Sequence, residues 1–406
     1  MDIKTVTVIG AGGAMGCNIS AIFASFGNAK VYMLDIEKPE AAIDRAVKSV
    51  RAESIRKNLI PADFLMLEQC VKESDLVFES VVERIDVKKD VANKCVKYLK
   101  EGALLCTGTS GLSITEIANS LPEKYRNKYF GVHFFNPPYS MSLCELIKTE
   151  LSSDNDVELL KYYLETVLFR TVVVCKDKPA FLANRIGFQF INRVLQLARD
   201  NADLGGLDYV DSIFGTFTGR LMAPCNTADF VGLDVHKAIV DNLLKNTNDF
   251  MHDSFVLPDF VQQLINEGKL GRKAKAGLFK LQINEDGTKT PLVYDIKTKE
   301  YRIKNKYSFE FANKMRAYLQ NGDYQLAFNT LKKDNSKEGL VCKQLLKEYV
   351  DYSLFVGKEV CDDISYIDDA MATGFNWCPP LALSNVLFGT NYLTKYDYRS
   401  FFKVGK

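Results

Sequence analysis

Three histidines occur in the 406-residue chain, at positions 133, 236 and 252. Only one stands where an imidazole could do chemistry. His133 closes the apolar run Tyr129-Phe130-Gly131-Val132 and is followed by Phe134-Phe135-Asn136-Pro137-Pro138. Two consecutive prolines end regular structure, since each lacks an amide donor and fixes its own φ. The ring is therefore expected beside a loop at a strand end, where ligands of open α/β sheets bind. Glu145 lies twelve residues further on, within Leu143-Cys144-Glu145-Leu146-Ile147. A carboxylate is costly to bury in such a run unless paired, and an imidazole is its natural partner. On these residues alone the pair reads equally as a structural one or as one that could do chemistry. His236 and His252 sit in polar helical contexts and are expected at the surface.

A second constellation opens the chain. Gly10-Ala11-Gly12-Gly13-Ala14-Met15-Gly16 follows the apolar run Val6-Thr7-Val8-Ile9 and leads into a helical stretch carrying Ile19, Ile22, Phe23 and Phe26. A glycine-rich turn from strand to helix lets backbone approach a pyrophosphate, whose charge the free helix N–H groups bind. The spacing carries one residue more than G-x-G-x-x-G. The next apolar run, Val31-Tyr32-Met33-Leu34, ends in Asp35, nineteen residues after Gly16. That is close to the roughly twenty expected of a ribose-binding acid. A carboxylate there accepts from both ribose hydroxyls and repels a 2′-phosphate, so the cofactor is read as NAD rather than NADP.

Both constellations need a scaffold. Up to about residue 178 the apolar runs, among them 76–78, 103–106, 130–132 and 171–174, alternate with helical segments. That pattern indicates βαβ units and a mostly parallel sheet buried on both faces. Beyond Pro179 the pattern turns helical, notably over 184–201 and 234–244. Residues 284–308 are polar and turn-rich, as in a linker or surface hairpin. A faint repeat follows: Tyr209-Val210-Asp211 with Pro224 is echoed by Tyr366-Ile367-Asp368 with Pro379-Pro380. The reading is a duplicated helical unit. The domains are accordingly set at 1–180 (cofactor-binding, α/β), 181–283 (all-α), 284–308 (linker) and 309–406 (a second, degenerate helical copy).

Composition narrows the rest. Lys and Arg total 52 against 51 for Asp and Glu, so no overall basic field attracts nucleic acid or membrane. The ten cysteines form no CxxC pair and no metal-ligand spacing, and several sit in apolar runs, as reduced cysteines do. No apolar stretch approaches the roughly 18–20 residues of a membrane span, and the strand pattern beginning at Lys4 leaves no room for a leader. A cytoplasmic location without a bound metal is expected.

Taken together, Gly131-Val132-His133-Phe134-Phe135-Asn136-Pro137, Glu145, and Cys175-Lys176-Asp177-Lys178-Pro179-Ala180-Phe181-Leu182-Ala183-Asn184-Arg185 resemble the 3-hydroxyacyl-CoA dehydrogenase family. Further matches in family order are 79–83, Thr109-Ser110, Met222-Ala223-Pro224, Val231-Gly232-Leu233-Asp234 and Lys269-Leu270-Gly271-Arg272-Lys273. They extend over roughly residues 4 to 280. The resemblance implies a Rossmann domain, NAD, and reversible oxidation of 3-hydroxyacyl-CoA to 3-oxoacyl-CoA in fatty-acid or butyrate metabolism. It implies that His133 is the base, Glu145 its orienting carboxylate, Ser110 a donor to the substrate oxygen, and Asn184 a group that positions the thioester. Glu83, Lys88, Ser110, Asn136 and Lys273 would meet the nicotinamide half of the cofactor. Apart from the resemblance, the basic helical stretch Arg51 to Lys57, with Arg56, is the local candidate for coenzyme A phosphate contacts, and it reads equally as a solvated face. A separate enoyl-CoA hydratase partner fits the same picture, as does a monomer built as an internal pseudo-dimer or a homodimer.

The chain departs from the family in its longer glycine loop, in Gly108 and Gly111 where Asn and Ser are common, and in Cys225-Asn226-Thr227 after Pro224. A dehydrogenase of a hydroxy acid without coenzyme A, or a catalytically weak scaffold subunit, are the competing readings.

Overall fold

A computed structural model describes residues 3–402. The described residues fall into two compact units, 3–182 with 360–362, and 183–359 with 363–402.

The first unit is built on an eight-stranded sheet in the order β3-β2-β1-β4-β5-β6-β7-β8. The strands are β1 (Thr5–Ile9), β2 (Lys30–Asp35), β3 (Leu59–Asp63), β4 (Leu76–Glu79), β5 (Leu104–Thr107), β6 (Tyr129–Phe134), β7 (Leu143–Lys148) and β8 (Thr171–Lys176). From β3 to β6 every pairing is parallel; β7 runs antiparallel to β6, and β8 parallel to β7. All residues of β4, β5 and β6 are buried, as expected of strands covered on both faces. Strand order reverses at β1, between β2 and β4, which opens a crevice at the carboxyl ends of these strands. Helix Ala14–Ser25 seats Ile19, Ile22 and Phe23 in the core beside Val8, Val31, Phe78 and Phe134. The Phe78 ring stands edge-on to Phe23 and Phe134 at 6.0 and 5.9 Å. The short β3 was not among the apolar runs, because Pro61 and Asp63 interrupt it and it sits at the sheet edge.

The second unit is organised around helix Ala183–Asp200, most of whose residues are buried. A row of amides, Gln189, Asn192 and Gln196, lies buried along it at helical spacing and donates to Ser254 and to the carbonyls of Asp253, Ser254 and Val256. Asn192 also meets His236 Nε2 at 3.0 Å. His236 is fully buried, not at the surface as its polar neighbours suggested. Helix Leu233–Asn246 turns that one face onto the amide row, and burial pushes the imidazole down to about 3, so it stays neutral. His252 is half-buried.

Residues 279–303 form a three-stranded antiparallel sheet, β9 (Phe279–Ile283), β10 (Lys289–Tyr294) and β11 (Tyr301–Ile303). Arg302 fastens it to the helices through both oxygens of the buried Asp208, at 2.8 Å each. Helices Lys337–Val360, Tyr366–Gly374 and Pro380–Phe388 then follow. Their succession parallels that of Ala183–Asp200, Leu207–Ile213 and Pro224–Val231. Asp211 accepts from the Cys225 amide at 2.9 Å, and Asp368 from the Leu381 amide at 2.8 Å. Each carboxylate thus caps the proline-led helix after it. The segments before those helices pair directly: Arg220 bridges Trp377, and the Cys378 amide donates to the Gly219 carbonyl at 2.6 Å.

Candidate active site

The His133–Glu145 pair is assembled by strand register. His133 on β6 and Glu145 on β7 are direct cross-strand partners in the antiparallel pair. Their side chains therefore project from the same face, the Cβ separation being only about 4.5–5.5 Å in such a pair. His133 Nδ1 lies 2.7 Å from Glu145 Oε2. Both are buried, the carboxylate completely, and its other oxygen accepts from the Leu182 amide at 3.1 Å. Phe135 and Phe181 wall the ring, with centroids 4.6 and 5.9 Å away. With Nδ1–H donated to Glu145, the basic lone pair is on Nε2. The apolar walls fix the plane of the ring, so the carboxylate sets the tautomer and the aromatic side chains the direction.

The glycine turn fits a dinucleotide on its own geometry. Gly10 takes φ +82°, and a Cβ there would meet the Ser80 carbonyl at 2.4 Å, so the turn presses against the β4 end as only glycine allows. Gly16 packs on the Gly10 carbonyl, where a Cβ would lie at 2.3 Å. Gly13 precedes helix Ala14–Ser25, whose start has no side-chain cap and no acidic residue in its first turn. The positive end of that helix, over Ala14, Met15 and Gly16, is left for an anion. Asp35 ends β2 and accepts from the Gly12 amide at 2.7 Å, while Arg45 donates to the Gly12 carbonyl at 2.6 Å. The extra residue of the loop thus places Gly12 and Ala11 between the turn and the acid. Arg45 was not singled out from sequence; nothing in its helical context marks it.

Asp35→Ser should raise KM for the adenine dinucleotide about tenfold or more, the worth of a hydrogen bond to a charged group, while relieving the repulsion of a 2′-phosphate. Steady-state kinetics with NADH and NADPH measure this. A wild-type protein that already prefers NADPH would overturn the assignment.

Between these two features lies a polar cluster. Glu79, at the end of β4, accepts from Lys88 Nζ at 2.9 Å, the Val81 amide at 2.6 Å and the Thr107 hydroxyl at 2.7 Å. Lys88 also lies 3.4 Å from Glu83. Ser110 is exposed just beyond β5, and Asn136 is exposed on the loop after β6. Arg51, Arg56 and Lys57 are exposed too, but on a different footing. Arg51 leaves helix Glu40–Val50 in a left-handed conformation, and Arg56 is paired with Asp44 and Glu53. Asn184 and Lys273 belong to the second unit. Asn184 is buried in the first turn of its helix, and Lys273 pairs with Asp234 at 2.6 Å. Among the described residues no group of three or more His, Cys, Asp and Glu side chains could hold a metal, and no helix is long and apolar enough to cross a membrane.

Comparison with known proteins adds the lineage. Residues 5–178 match the model of the 3-hydroxyacyl-CoA dehydrogenase NAD binding domain, and residues 181–281 that of the 3-hydroxyacyl-CoA dehydrogenase C-terminal domain. The mitochondrial hydroxyacyl-coenzyme A dehydrogenase of Homo sapiens is 30% identical over 295 residues, 68% of this chain and 91% of its own length. A Rickettsia felis protein assigned as a fatty acid oxidation complex trifunctional enzyme is 29% identical over 394 residues, 93% of this chain. The chain spans only 52% of that relative, about half its length. The crystal structure of 3-hydroxybutyryl-CoA dehydrogenase from Escherichia coli K12 shares the fold across 95% of this chain and 92% of its own, with a TM-score of 0.71 at 21% identity.

Proposed function

The chain belongs to the 3-hydroxyacyl-CoA dehydrogenase family, and from that premise we propose that it interconverts a 3-hydroxyacyl-CoA and the 3-oxoacyl-CoA, with NAD as hydride acceptor. The observation that carries the reading is the buried His133–Glu145 pair at the carboxyl end of β6. His133 takes the 3-hydroxyl proton at Nε2. Glu145 holds Nδ1–H and stabilises the imidazolium that forms, as a buried carboxylate does for other catalytic histidines. Ser110, exposed beyond β5, donates to the substrate oxygen and stabilises charge there.

The cofactor is held by the turn from Gly10 to Gly16 and by Asp35, which supplies the ribose acceptor. Glu83, with Lys88 behind it, and Asn136 border the nicotinamide end. The roles of Asn184 toward the thioester and of Lys273 toward the cofactor rest on the family resemblance; that of Arg51, Arg56 and Lys57 toward coenzyme A phosphates rests on their charge and exposure. In this reading all ten cysteines are free and buried because the protein works in a reducing, cytoplasmic setting, beside a separate hydratase that supplies the hydroxyacyl thioester.

Purified protein mixed with acetoacetyl-CoA and NADH is expected to consume nicotinamide absorbance at 340 nm and to leave free acetoacetate untouched. Equal activity on free acetoacetate would shift the reading to a hydroxy-acid dehydrogenase. No oxidation of NADH with either compound would overturn it.

A further inference from the structure

The loop 107–112 that presents Ser110 is intrinsically loose, for it carries two glycines in six residues, Gly108 and Gly111. Gly108 cannot be stiffened by a side chain: a Cβ there would meet the Phe78 ring at 2.8 Å. What restrains the loop is Thr109. Its side chain is fully buried; the hydroxyl donates to Glu83 Oε1 at 2.5 Å and accepts from the Leu112 amide at 3.0 Å. The Ser110 amide donates to the same Glu83 oxygen at 2.8 Å. One carboxylate oxygen therefore grips the loop on both sides of the Thr109–Ser110 peptide.

Glu83 itself is half-exposed and needs fixing. Lys88 does this from beneath, with its ammonium 3.4 Å from Glu83 Oε2 and 2.9 Å from Glu79 Oε1. The Lys88 and Glu79 side chains are 1% and 2% exposed. Burying such a pair gains little stability over an apolar pair of the same volume, so its use here is better explained by what it specifies. Glu79 in turn accepts from Thr107, the last residue of β5, and the Thr109 amide donates to the Thr107 hydroxyl at 3.3 Å. Beyond the loop, Asp177 accepts from the Ser113 hydroxyl and the Thr115 amide, at 2.8 Å each. Every polar group along 107–115 named here is tied to the scaffold, and Ser110 alone is turned outward.

We infer that Thr109 is a positioning residue for the dehydrogenase reaction: through Glu83 and the buried Lys88–Glu79 pair, it fixes the backbone that aims the Ser110 hydroxyl at the substrate oxygen. The inference rests on the proposed function for its catalytic consequence, but not for its structural one. Thr109→Val keeps the shape and removes the hydroxyl; Thr109→Ser keeps the hydroxyl.

In the 406-residue chain, amide hydrogen exchange of the 107–112 segment should speed up in Thr109→Val and return toward wild type in Thr109→Ser. Exchange of helix Ala183–Asp200 should not change. With acetoacetyl-CoA and NADH, Thr109→Val should lose about 10–100-fold in kcat, the effect of misplacing a catalytic group by about 1 Å. Thr109→Ser should recover most of the loss. Unchanged exchange in Thr109→Val overturns the inference whatever the substrate, and so does faster exchange with undiminished kcat. A wild-type protein inactive on acetoacetyl-CoA, whose Thr109→Val variant still shows faster exchange, overturns the substrate assignment while leaving the loop restraint established.

Discussion

His133→Gln is expected to lower kcat for acetoacetyl-CoA reduction by about 10²–10⁴-fold, the usual contribution of a positioned acid–base group. Glutamine keeps much of the packing against Phe135 and Phe181 but places its amide where Nε2 stood, so His133→Asn, whose amide stands where Nδ1 does and can keep the bond to Glu145, is the companion variant that separates proton transfer from folding. NADH binding, measured by nicotinamide fluorescence, should be unaffected, since the glycine turn and Asp35 stand on β1 and β2. Glu145→Gln should also lower kcat, by disturbing the tautomer and withdrawing the charge that stabilises imidazolium. It leaves Leu182 an acceptor at the same place. A His133→Gln variant with near-normal turnover would remove His133 from the mechanism and, with it, the observation on which the functional reading stands.

Sequence reasoning reached this pair because a buried carboxylate in an apolar run has few possible partners. What it did not supply was the geometry: β7 reverses direction against β6, and only that antiparallel register sets residues 133 and 145 opposite one another. Local periodicity carries no strand direction, and the apolar stretch around Glu145 would look the same in either sense. The glycine turn and its neighbour Asp35 were legible as a local arrangement for the opposite reason, since such a turn depends on contiguous backbone and a fixed spacing along one βαβ unit.

His236 shows where such reasoning fails. Its neighbours Asp234, Lys237 and Asp241 are polar, but burial is decided by the face of a helix, and the amide row that receives the ring lies more than forty residues earlier in the chain. Glu79 illustrates the same limit. It was visible as part of a motif, yet its partners Thr107 and Lys88 come from β5 and a separate helix, and no spacing rule links them.

Deleting residues 309–406 is expected to leave a chain that aggregates or forms a new dimer. The reason lies in what the later helices cover within the second unit. Arg220 is buried with its guanidinium over three rings, 4.0 Å from the Phe190 centroid, 4.7 Å from Trp377 and 5.1 Å from Tyr349. Two of those rings, and the Phe375 ring against which Gly187 is fitted, belong to the deleted segment. Phe217 would lose Phe311, and Arg185 would lose Tyr352 and Glu359. Each aromatic side chain buries about 150–250 Å², so the truncation uncovers an apolar face far beyond what a soluble monomer tolerates. We propose that the two sets of helices form an internal pseudo-dimer. A tethered copy has a high effective concentration and outcompetes an external subunit for the same face, which lets the 406-residue chain stand as a monomer as readily as a dimer. Light scattering coupled to size exclusion separates the outcomes. A truncated protein that remains monomeric, soluble and as heat-stable as the full chain would sink the idea. Trp377→Ala probes the same contact without removing the segment, and loss of so large a buried ring should cost about 3–5 kcal/mol in a denaturant titration of the 406-residue chain.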